Sequence, residues 1–170
     1  WNCRGENVPA EDFALNLAEL FVEYLHAGID LGNFWPLRLH GHGGMWRGKW
    51  MMTFADNRPE PAYHLFSAFS RHVGNRVVRV DTDERFLRWL VTTDPESDET
   101  RLFCVNRGGW PGGYHVEFRL EGQQIRSARA VALPAGDPGQ EIPVSVRLEA
   151  GTARFQPPAE TLTILFLRGD

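Results

Sequence analysis

The stretch from Pro61 to Val80, PAYHLFSAFSRHVGNRVVRV, constrains this chain more than any other, because a helix-period pattern there gives way at once to a β-branched one. Pro61 suits the first turn of a helix, where a missing N–H costs nothing, and Ala62, Phe66, Phe69 and Val73 follow at helical spacing. Gly74-Asn75 is expected to end that helix with a left-handed residue. Val77, Val78 and Val80 come next, and no comparably long helical pattern returns before the last residue. The chain therefore divides near residue 75, with a helical segment over 1–75 and a strand-rich one over 76–170.

Upstream, Phe13, Leu17, Leu20, Phe21, Tyr24 and Leu25 form a stripe at i, i+3 and i+4, with Glu11 and Asp12 in the dipole-favoured first turn. These predict a helix from about Pro9 to His26 that stops at Gly28. Ala14, Leu15 and Ala18 make a second face apolar, so this helix expects packing on two sides. Residues 29–39, IDLGNFWPLRL, read as a short strand, with Pro36 suited to a strand end. HGHGGMWRGKWMMTFADNRPE follows, a glycine-rich loop longer than a connector needs, and long loops in compact domains tend to carry function. Downstream, strands are predicted at 76–80, 86–92, 102–106, 114–120, 127–133, 142–148, 153–156 and 161–168, separated by Gly, Pro, Asp and Asn. The fold class is α+β: two helices and a strand, then an antiparallel β-sandwich.

In 170 residues, 42% hydrophobic with 12% aromatic, there is material for a real core. A formal charge of -4 argues against nucleic acid as a partner, since phosphate binding needs a clustered positive field. No apolar run approaches the ~20 residues of a membrane-spanning helix, and the N-terminal residues lack a basic-then-apolar signal. Cys3 and Cys104 have no ligand-like spacing, and two buried or free thiols are a simpler reading than a disulfide.

Motifs of catalysis are few. His40-Gly41-His42 falls short of a metal set without a third His or Cys nearby, so no metal and no cofactor is expected. His64 and His72 read as surface or packing residues, and His26 as a complement to its helix dipole. Glu19 and Glu23 share a helix face but read as solvated surface. A glycosidase pair would face a substrate from separate elements, and none is evident. The aromatic residues remain. Trp35, Trp46 and Trp50 stand at a strand end and in the glycine-rich loop, where indole faces suit either sugar stacking or local packing. Trp110, between Gly109 and Pro111, fits a hairpin tip, and Trp89 reads as core.

The order of pieces resembles the C-terminal third of clan-A retaining glycoside hydrolases of the agarase, xylosidase and arabinofuranosidase types. The likeness is carried by Trp1-Asn2, then LNLAELFVEYLHAGID, NFWPLR, RPEPAYHLFSAFSRHVGNRVVRV and LFCVNRGG. In that family a (β/α)8 barrel precedes a β-sandwich, and the nucleophile sits in a Glu-Trp-Asn string. The resemblance implies that Trp1-Asn2 are its last two letters, so that the nucleophilic glutamate precedes residue 1 and the acid/base lies further upstream. It implies no catalytic residue in this chain, with Asn2, Trp35, His40, Trp46 and Trp50 as substrate contacts. It makes the helix at 9–26 the seventh barrel helix, residues 34–38 the eighth strand and residues 61–73 the eighth helix. It also implies a secreted or periplasmic setting.

Two readings follow. In one, the chain is the C-terminal segment of a polysaccharide-degrading glycoside hydrolase, inactive alone, whose partners are a poly- or oligosaccharide and the missing barrel portion. In the other it is a stand-alone, non-catalytic carbohydrate-binding or interaction sandwich. Barrel helices without their barrel expose apolar surface, so they should either dock on the sandwich or drive self-association.

Overall fold

The computed structural model describes residues 9–29, 59–80, 86–108 and 112–169. Two helices, α1 (Ala10–His26) and α2 (Pro61–His72), precede nine strands among these residues. The strands are β1 (Arg76–Val78), β2 (Arg88–Asp94), β3 (Glu99–Asn106), β4 (Val116–Arg119), β5 (Ile125–Pro134), β6 (Ile142–Val144), β7 (Val146–Glu149), β8 (Thr152–Phe155) and β9 (Thr161–Gly169). All recorded pairings are antiparallel, in a six-stranded sheet ordered β1-β2-β3-β9-β5-β6 and a three-stranded sheet ordered β4-β8-β7. The fold is α+β, as the periodicities indicate. The strand expected within 29–39 lies outside the described residues.

Three layers result, and β9 shows why. Its residues 161–167 are buried throughout, with Leu162, Ile164 and Phe166 in a cluster shared with the helices and Leu165 and Leu167 in a cluster between the sheets. Period-two alternation thus feeds two cores from one central strand. The helix-side cluster joins Phe13, Leu15, Leu17 and Val22 of α1 and Leu65 and Phe69 of α2 to Leu90, Phe103 and Val105. Phe21 meets Phe66 edge-on at 4.9 Å, while Phe69 stacks on Phe103 at 5.0 Å with the rings 10° from parallel. The two apolar faces of α1 are explained: α2 and the large sheet take them up.

The helix limits agree with the pattern, and Gly28 at φ +70 supplies the left-handed residue after α1. Gly74 does not play that part for α2. The cap residue Val73 is extended, Gly74 has no positive φ, and a Cβ there would lie 2.5 Å from the Thr93 carbonyl oxygen. Gly74 is small because β2 runs against it, and its N–H donates to Thr92 Oγ1 at 2.9 Å. Arg101 instead completes the helix end, donating from Nη1 to the His72 carbonyl at 3.1 Å.

The single strand expected over 142–148 is two strands. β6 pairs with β5 in the large sheet and β7 with β8 in the small one, so the chain changes sheet at Ser145. Pro143 is tolerated because β6 is an edge strand. Thr152 and Glu149 close a two-residue hairpin through Ala150 (φ +48) and Gly151 (φ +73), the turn hand that matches strand twist.

Candidate functional site

Asn2, Trp35, His40, Trp46 and Trp50, the expected substrate contacts, lie outside the described residues, as do Cys3, His42 and Trp110. The described residues show what frames those segments. One leaves α1 at Ile29 and rejoins the chain at Pro59, directly before α2, and the other leaves β3 at Gly108.

The end of β3 is tied to α1 by one side chain. Arg107 Nη1 donates to Asn16 Oδ1 and to Glu19 Oε2 at 3.3 Å, and Nη2 lies 3.7 Å from Asp12 Oδ1. Asp12, Asn16, Glu19 and Glu23 recur at i, i+4, i+7 and i+11, so they line one face of the helix. Glu23 Oε1 meets Arg88 Nε at 3.5 Å on the adjoining strand. These side chains line a seam with Arg88 on β2 and Arg107 just past β3; Asp12 and Glu23 stay more than half exposed, in keeping with a solvated face, and Glu19 is mostly covered. His26 does not act as a dipole complement alone, since its Nε2 donates to the Trp89 carbonyl at 2.7 Å.

Beside this seam Asn106, 2% exposed, knots two loops together. Its Nδ2 donates to the carbonyls of Pro157 at 2.9 Å and Pro158 at 3.0 Å, and its Oδ1 accepts from the Gly108 N–H at 2.8 Å. Both lie within LFCVNRGG, one of the strings that carry the family likeness, but residue type alone assigns neither of them a role. The signal available was a polar Asn-Arg-Gly at the end of an apolar strand.

A second feature is a cleft of about 990 Å³ where the small sheet stops short of β1 and β2. Val78, Trp89, Val91, Phe118, Leu120 and Gln123 line it. Trp89 is half-buried in the inter-sheet cluster, and its buried indole N–H finds no hydrogen-bond partner among the described residues. Two of the carboxylates that line the cleft are paired with arginines. Glu99 accepts from Arg101 at 2.9 Å, and Glu117 pairs with Arg154 at 2.9 Å. Neither stands poised across the cleft as an acid or base. Among the described residues no group of three or more His, Cys, Asp or Glu is arranged to hold a metal ion, and no helix is long and apolar enough to cross a membrane.

No family model and no curated protein matches the sequence. Solved structures do match in fold. A GH30 endoxylanase from Clostridium papyrosolvens C71 superposes with a TM-score of 0.67 at 11% identity, over 96% of this chain and 40% of the other. A family 51 α-L-arabinofuranosidase from Bifidobacterium longum gives 0.64 at 14% identity, over 95% and 35%. An arabinose-bound GH51 α-L-arabinofuranosidase gives 0.69 at 13% identity, over 95% and 28%. This chain spans less than half the length of each of these proteins, and the likeness is one of fold.

Proposed function

We propose that the chain is the C-terminal portion of a polysaccharide-degrading clan-A glycoside hydrolase, with its catalytic carboxylates on a barrel portion of a longer polypeptide. The observation that carries this reading is that the helices and both sheets together, over 91–96% of the chain, match GH30 and GH51 enzymes. A match to helices and sandwich together supports more than a match to a sandwich would, since the helices are what a barrel and a sandwich share. In this reading the nucleophilic glutamate precedes Trp1, Trp35, Trp46 and Trp50 stack on sugar rings, and His40 and Asn2 hydrogen-bond hydroxyls. The seam at Arg107 and Arg88 then sets the angle at which sandwich and barrel meet.

The matched enzymes include xylanases and arabinofuranosidases beside a bifunctional glucanase-xylanase and a xyloglucanase, so a pentose-containing polysaccharide is the substrate class to assay first and a β-glucan the second. Residues 1–170 alone are expected to leave xylan and aryl pentosides uncleaved. Turnover by this chain that a single internal Glu→Gln abolishes would overturn the reading. In the longer polypeptide, Trp35→Ala or Trp50→Ala should weaken oligosaccharide binding in calorimetry, and unchanged affinity would assign those rings to packing.

One observation favours the second reading, a stand-alone carbohydrate-binding or interaction sandwich. Phe13, Leu15, Leu17 and Val22 of α1 are buried within the chain itself. Retention of residues 1–170 on insoluble xylan, independent of any further polypeptide, is its expected signature.

A further inference from the structure

The two helices are held to the sandwich by different chemistry. α1 adds to its apolar contacts two arginine–carboxylate links, Arg107 to Glu19 and Arg88 to Glu23. α2 has an apolar face and two half-buried histidines, His64 set against the connection from β5 to β6 and His72 against β9. His64 packs on that connection, close enough that a Cβ on Gly139 would lie 3.4 Å from its Cε1. His72 meets the ring of Phe166 edge-on at 5.2 Å, and the Arg129 guanidinium lies over the same ring at 3.6 Å. Arg101 donates to the His72 backbone carbonyl, and the neighbouring Arg71 lies 3.8 Å from Glu141.

We propose that α2 is an acid-released latch: neutral His64 and His72 let it seat on α1 and the sheet, and taking up a proton on either imidazole loosens that seat.

The charges around each ring explain why. Among the described residues, His72 is faced by Arg71 on its own helix, Arg101 on β3 and Arg129 on β5, and by the carboxylate of Glu141 ahead of β6. Burial lowers its pKa first, and the three guanidinium groups lower it further against the raising pull of Glu141. His64 is faced by Asp137 from the connection and by Arg71. Burial lowers its pKa too, the attraction of Asp137 opposes this, and Arg71 adds to the lowering. A histidine whose seated pKa is depressed takes up its proton first in the unseated state as pH falls. The contact is therefore at full strength above the free value near 6.5 and weakens as pH falls from there toward the seated pKa. Within that window each histidine shifts the equilibrium by at most about tenfold per pH unit.

The test is amide hydrogen exchange at about pH 7.5 and about pH 5.5, corrected for intrinsic rates, on residues 1–170. Protection of α2 amides should fall by several-fold or more relative to β3 and β9. His64→Gln with His72→Gln should remove most of that difference. A parallel change in helix and sheet, or a double variant with the same response, overturns the proposal. Should the double variant not fold, proton NMR titration of the unmodified chain decides. Imidazole pKa values below about 6.5 for both histidines support the latch, and values at or above it for both overturn it.

Discussion

At the scale of single residues, the polar groups that matter are those whose partners come from far along the chain. Asn106 satisfies two proline carbonyls and one N–H from a site that solvent does not reach. Asn106→Ala should cost about 1–3 kcal/mol in urea unfolding, because two carbonyls and an N–H lose their partner. Asn106→Asp should not restore it at neutral pH, since a carboxylate has no proton to donate. A variant as stable as the parent would mean that water replaces the amide. Gly74 teaches the same lesson in reverse. Its position after a helical run suggested a left-handed cap, whereas contact with Thr93, nineteen positions on, is what forbids a side chain.

At the scale of elements, α1 was legible almost to its ends because apolar spacing, acidic first turn and Gly28 all point one way. Its charged face was not, since Asp12, Glu19 and Glu23 acquire meaning from Arg107, just past β3, and Arg88 on β2. Arg107→Ala should lower stability by about 1 kcal/mol in dilute buffer, a modest amount because the pair is partly exposed to solvent. The loss should shrink at about 1 M salt, where screening weakens such pairs. An equal loss at both salt concentrations would place the effect in packing of the arginine stem. The run at 142–148 was misjudged as one strand because Val144, Val146 and Leu148 alternate without a break. The change of sheet at Ser145 comes from pairing with β5 on one side and β8 on the other.

At the scale of the whole molecule, the helix-side core joins the two segments that the sequence divides near residue 75, a division we keep as a proposal. Removing residues 1–75 would uncover Leu90, Phe103, Val105, Ile164 and Phe166 on one face of the large sheet. Residues 76–170 alone should therefore bind a hydrophobic dye and self-associate, and a soluble, cooperatively melting monomer would show that the sandwich needs no helices. The helices, the strand-rich half and the α+β class were readable from residue order, because periodicity of apolar side chains is a local property and each element must bury one face. The proposed sugar contacts at Trp35, Trp46 and Trp50 rest on residue type and resemblance. Sheet membership, the Arg107 seam, the Asn106 knot and the surroundings of the two α2 histidines were decided by tertiary structure alone. Each depends on groups tens of residues apart meeting at hydrogen-bond or van der Waals distance, and no pattern within a window of sequence encodes which distant partner will arrive.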